Sequence, residues 1–188
     1  MHAFLIAVAL FAQTDVSVDR QAVKAHPELH AALAPSAIEK LERAAASIAK
    51  VDVKSAQKAV KTAFPDAELS AADIDALASY VMSEAADIIA AETTKIDEQK
   101  RAVQEAMKAA GLEPKVGAKY ALKLSGDYAK APEPLGADAA PAAMQQRLEE
   151  LGAMAELNQR RRTSVLDAAD AARKKGHDVA LNAIRNLK

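Results

Sequence analysis

Between Ser70 and Gly111 there is neither proline nor glycine, and one apolar face runs the whole way. Ile74, Leu77, Val81, Ala85, Ile88, Ile96, Val103 and Met107 recur at helical spacing, with Glu92 and Gln99 on the same face. An uninterrupted stretch of this kind has one simple outcome, a single long helix of about 60 Å at 1.5 Å per residue. Its start carries a strong signal. Ser70 is placed to cap, and Asp73 sits at the third helical position, where an acid also suits the helix dipole. Gly111 is a natural C-terminal cap, with Pro114 beyond it. The apolar spacing is seven, seven, eight and seven from Ile74 to Val103, near the drift of a straight helix. It predicts weak supercoiling rather than a strict heptad rope.

Composition narrows the fold further. Hydrophobic residues make up 51% of the 188-residue chain, but about a quarter of the chain is alanine and aromatics are only 3%. Alanine favours helix and buries little area. Three Phe, three Tyr and no Trp do not build a thick core. The expected fold class is all-α: an elongated antiparallel helical hairpin, or coiled-coil-like bundle, with a third shorter helix. Cysteine is absent, which excludes disulfides, thiolate metal sites and cysteine nucleophiles.

Residues 13–188 read as one elongated helical domain. Residues 36–64 are expected to be short helical structure opened by a capping box at Ser36 and Glu39, with a break near Val51-Asp52-Val53 and an end at Phe64-Pro65. Residues 70–111 form the first long helix. Residues 112–141 hold four prolines and three glycines and read as a connection with one helical turn around Lys119–Leu124. Residues 142–187 form the second long helix, opened by Pro141. Its face of Leu148, Leu151, Ala155, Val165, Ala169 and Ala172 is interrupted by Asn158 and Arg162, polar residues of the kind that fix register at a cost in stability.

The formal net charge of −1 is a cancellation. Residues 66–98 hold nine acids and one base, residues 99–131 seven bases and three acids, and residues 142–188 nine bases and six acids. Facing acidic and basic helices are the simplest arrangement. An antiparallel register with Asp87 near Val165 pairs Arg160–Arg162 with the stretch around Glu92. It also brings Arg173–Lys175 to the stretch around Leu77, flanked by Asp73 and Asp75.

Residues 1–12 contain an apolar run from Ala3 to Ala12, too short to span a bilayer but within the length of a signal-peptide core. Cleavage after Ala12 would place the protein in the periplasm or outside the cell. Against this, no Lys or Arg precedes the run, and Leu10 is bulky for its position. The other reading is an apolar helix docked on the bundle of a cytoplasmic protein.

Two segments carry a resemblance. Leu69-Ser-Ala-Ala-Asp-Ile-Asp-Ala-Leu-Ala78 resembles the helix start of a group of bacterial helical proteins of unknown activity. The ending from Gln159-Arg-Arg-Arg-Thr-Ser-Val-Leu166 through Asn182–Lys188 resembles the C-terminal helix of the same group. Order and separation are similar, over about half the chain. This chain departs from the group in having alanine at positions where larger apolar residues are expected. The resemblance implies a fold with two long helices and brings no activity, cofactor or site.

Little chemistry is encoded. His26 and His30 share a helical spacing, but Pro27 interrupts it and Glu28 is the one nearby acid. No Glu-x-x-His pair is present for a di-iron bundle, and no Gly-x-Gly-x-x-Gly or Gly-x-x-x-x-Gly-Lys for phosphates. No catalytic residue, metal ligand, cofactor or small-molecule substrate is expected. The candidates for binding are Arg160, Arg161, Arg162, Arg173, Lys174 and Lys175, a basic helical stripe suited to an anionic membrane or a nucleic acid. Interleaved aromatics are missing and Asp167, Asp170 and Asp178 dilute the field. The leading expectation is therefore a non-enzymatic structural or protein-interaction helical protein, an exported component of an envelope or secretion assembly, with a protein partner or further copies of itself. The alternative is a binding module that uses the basic C-terminal helix on an anionic surface. Cysteines introduced at Asp87 and Val165 are expected to crosslink in the folded chain; failure to crosslink under native conditions rejects the antiparallel register.

Overall fold

The structure, a computed structural model, describes residues 33–113, 122–124, 126–136 and 139–186, with backbone alone for 176–186. Four helices and no strand are found among the described residues: α1 (Pro35–Ser47), α2 (Val53–Ala63), α3 (Ala71–Ala109) and α4 (Pro141–Asn186). The fold is all-helical, as composition requires. The apolar run 3–12, the His26/His30 pair, residues 119–121 of the expected turn and the C-terminal residues beyond Asn186 lie outside the described residues.

Local chemistry explains the helix ends. The start of α3 is a reciprocal cap: the Asp73 N–H donates to Ser70 Oγ at 3.2 Å, and the Ser70 N–H donates to Asp73 Oδ2 at 2.9 Å. At the far end Gly111 adopts φ +69°, a left-handed conformation that glycine enters without steric cost. The Gly111 N–H then reaches the Lys108 carbonyl and the Leu112 N–H the Met107 carbonyl, so two otherwise orphaned acceptors are satisfied. The break between the short helices falls where expected, with Asp52 capping α2 by accepting the Ser55 N–H at 2.8 Å.

Two expectations are corrected. Ser36 does not cap α1. That helix begins one residue earlier, at Pro35, with Ala34 as a cap that makes no side-chain hydrogen bond. Proline pre-sets the helical φ and lacks the N–H that would go unpaired in the first turn, so it overrides the downstream hydroxyl. In place of a third single helix there are two, α1 and α2, and they pack against each other.

The chain divides into two compact units, each using part of both long helices. The first comprises residues up to Asp87 together with Ser164 onward; the second is Ile88–Thr163. In the first unit every residue of α3 from Leu77 to Ser83 is buried. A helix buried all round is enclosed on every side rather than resting on one seam. Small residues permit close approach: Ser79 is fully buried and its hydroxyl donates to the Ala169 carbonyl of α4 at 3.0 Å. Asp75, 7% exposed, accepts from Gln57 Nε2 of α2 at 2.5 Å and lies 3.6 Å from Lys175 Nζ of α4. The expected core position Ile88 is half-buried, while its neighbour Ile89 is fully buried.

The second unit is built on one seam. Ile96, Val103 and Met107 of α3 share a core cluster with Leu148, Leu151, Met154 and Ala155 of α4, while the residues between them on α3 are mostly exposed. The connecting segment closes this unit. Residues 126–136 have no helix or strand, yet Ala129 is fully buried, and Leu122, Ala131 and Leu135 pack on the cluster. Its backbone is satisfied by helix side chains. The amide of the fully buried Asn158 accepts the Ala129 N–H at 2.7 Å and donates to the Ala129 carbonyl at 2.8 Å. Glu92 accepts the Ala131 N–H at 3.0 Å, Gln99 donates to the Pro132 carbonyl at 2.7 Å, and Arg147 donates to the Glu133 carbonyl at 2.8 Å.

Asn158→Ala would leave both polar groups of Ala129 buried without partners and is expected to cost about 2–4 kcal/mol. The measurement is a shift of the denaturant midpoint, accompanied by loss of hydrogen-exchange protection at the Ala129 amide. An unshifted midpoint would reject the role given to Asn158.

Candidate functional site

The six basic residues singled out as an anionic-surface stripe are placed by α4 in two groups. Arg160, Arg161 and Arg162 belong to the second unit; Arg173, Lys174 and Lys175 belong to the first. Most of them are engaged with the chain's own carboxylates. Arg160 pairs with Glu156 one turn earlier, and Arg161 pairs with Asp127 of the connecting segment, both partners about four-fifths buried. Arg173 lies 3.2 Å from Asp170, and Lys175 meets Asp75. Arg162 and Lys174 are exposed. The exposed pairs contribute only about 0–1 kcal/mol each. Their presence still lowers the net field that an anionic surface would meet.

The electrostatics of the connecting segment centre on Glu92. Burial alone would raise its carboxyl, but the Lys95 ammonium at 2.7 Å and the Ala131 N–H outweigh it, and with the charges of Lys95 and Lys130 they hold it below the usual glutamate range. Lys95 is raised in turn by Glu92. Burial, then the negative charge of Glu92, pushes the Tyr128 phenol up. These shifts belong to groups that hold the segment in place.

A different surface is concave. The α1–α2 pair leaves a groove of about 630 Å³. Its floor is Ala44, Ile48, Ala49, Ala59 and Ala63, and Lys40, Arg43, Lys50 and Lys58 stand around it. Among the described residues, no acidic side chain lines it. The packing of α1 and α2 buries Leu41, Ala45, Ala56 and Val60. Two of the three hydroxyls at the groove are turned back: Ser47 Oγ donates to the Ala44 carbonyl at 2.8 Å and Thr62 Oγ1 to the Lys58 carbonyl at 3.0 Å. Lys40 Nζ lies 5.4 Å from the centre of the Phe64 ring, a cation–π distance that places this ammonium near the end of α2. Asp52, at the turn between the helices, is held below the usual aspartate range chiefly by the Ser55 N–H.

Sequence reasoning missed this groove. A signal was present: residues 36–64 contain six bases against three acids, with Lys54, Lys58 and Lys61 at helical spacing along α2. Among the described residues no three His, Asp or Glu side chains converge on a metal position, and no helix is long and apolar enough to cross a membrane. Comparison with known proteins finds no matching family model, no matching curated protein and no matching solved structure.

Because the Glu92 carboxyl is lowered in the folded chain, its charged form stabilises the fold above its ordinary value of 4.5. That contribution is lost as pH falls through the lowered folded value. Glu92→Gln is expected to flatten the fall in stability below pH 4.5 relative to the parent chain, measured by denaturant unfolding across the acid range. Parallel curves for parent and variant would remove Glu92 as a contributor.

Proposed function

We propose that this is a non-enzymatic helical protein that acts by binding another protein, and that α3 and α4 form an antiparallel hairpin as its scaffold. The observation that carries the functional reading is the α1–α2 groove: concave, apolar-floored, with the hydroxyls of Ser47 and Thr62 bonded to their own helices. Such a surface offers area and shape, while a small-molecule site needs a few convergent polar groups. The hairpin reading is supported by the bond from Ser79 to Ala169 and the Asp75–Lys175 pair, which lie within about one helical turn of the register expected from charge. It is supported in the second unit by the cluster that Val103 and Met107 share with Leu148 and Met144.

The alternative, an anionic membrane or nucleic-acid binder, draws on Arg160–Arg162 and Arg173–Lys175, and at least four of those six side chains are paired with carboxylates of the chain itself. Export to an envelope or secretion assembly is the localisation we favour, on the apolar run from Ala3 to Ala12.

Chemical crosslinking in the native cell, read by mass spectrometry, is expected to join the chain to another polypeptide at recurring lysines. Recovery of internal crosslinks alone would overturn the interaction reading.

A further inference from the structure

The groove between α1 and α2 has a length, a floor and a sign of charge, and together these specify an occupant. The eleven residues of α2 span about 16 Å, close to three helical turns. Alanine along the floor keeps side chains short, so a third helix can approach both helices at ordinary interhelical distances. Around that floor Lys40, Arg43, Lys50 and Lys58 are all positive. Lys50 lies 3.1 Å from Asp52, and Arg43 reaches Glu39 only at 3.9 Å, with both members of the latter pair well exposed.

We propose that this groove is the docking site for an amphipathic helix of another protein, one whose apolar stripe is flanked by aspartate and glutamate. The proposal rests on the reading of the chain as an interaction protein and adds the place and chemistry of the contact. Apolar anchors at i, i+3, i+4 and i+7 fill the alanine floor, as in other helix-in-groove complexes. Acids on either side meet the four cations. This complementarity governs orientation and encounter rate more than total affinity. A nucleic acid fits the surface less well, because among the described residues no aromatic side chain lines it for stacking. A small anion fits less well too, since the Ser47 and Thr62 hydroxyls are turned back onto their own helices.

The test uses the full chain and a synthetic four-turn peptide with leucines at helical spacing flanked by glutamates, with a twin carrying lysines in place of the glutamates. Fluorescence anisotropy should show binding of the glutamate peptide, weakening as salt rises, and none of the lysine twin. Arg43→Glu combined with Lys58→Glu should weaken binding by about tenfold or more. Lys54→Glu combined with Lys61→Glu makes the same charge change on exposed residues outside the groove lining and should change affinity less than about twofold. Unchanged circular dichroism and melting would confirm that all variants fold.

Equal binding of both peptides, or equal loss in both variant pairs, overturns the proposal. So does a dimer of the chain alone that Arg43→Glu with Lys58→Glu dissociates in sedimentation, which would make a second copy the occupant. A DNA duplex shifted in mobility by the parent chain and not by that variant also overturns it. The two readings fail separately. If native-cell crosslinks to another protein persist in the Arg43→Glu, Lys58→Glu chain, the groove is wrong and the interaction reading stands; if the parent chain never crosslinks to another protein, the interaction reading falls first.

Discussion

Alanine contributes so little buried area that helices lined with it cannot rely on a single side-by-side contact. Two arrangements compensate for this here. In the first unit α3 is enclosed, so that every residue from Leu77 to Ser83 is removed from solvent. Leu77, Tyr80, Val81 and Met82 are buried there beside small residues, and the close approach shows in the Ser79 hydroxyl reaching a carbonyl of α4. In the second unit the seam stays one-sided, and the connecting segment is laid over it, bringing Ala129 and Leu135 onto the cluster. Backbone without its own ladder can be buried only if its polar groups are met. Asn158, Glu92, Gln99 and Arg147 meet them.

Local signals were legible where the chemistry is contained in a few consecutive residues. Ser70 with Asp73 and Gly111 with its two following bonds are each decided within one helical turn, and each stands where sequence places it; the Asp52 cap on Ser55 falls at the expected break. Ser36 was misread because two start signals lie side by side, and Pro35 prevails. The connecting segment was legible only as a proline-rich interruption. Its path depends on side chains far away in sequence, such as Asn158, whose polar interruption of an apolar face was visible but whose partner was not. The groove was hidden for the same reason: Lys40 and Lys58 belong to different helices, and nothing in their spacing states that those helices pack together.

Charge segregation has acquired a more definite meaning. The basic residues of α4 read in isolation as a binding stripe, yet Arg161 closes onto Asp127 and Lys175 onto Asp75. Those pairs act on orientation, since like-sign alternatives would be repelled. Among the described residues, the cations around the α1–α2 groove stand on a lining that holds no acid, although Lys50 and Arg43 also reach carboxylates nearby in the chain. Position, more than the density of charge in the sequence, separates the two groups.

The backbone bonds of the connecting segment also set a length. Glu92 and Gln99 come from α3, Asn158 and Arg147 from α4, and all four grip a stretch of only a few residues around Ala129 to Glu133. A slide of one helix along the other by a single turn, about 5.4 Å, would carry its side chains out of hydrogen-bonding reach of that stretch. The seam beneath it is a single row of side chains, and these bonds add a constraint along its axis. The segment therefore serves as a ruler, and an insertion or deletion within it should be read as a change of helix register, not as a harmless change of loop length.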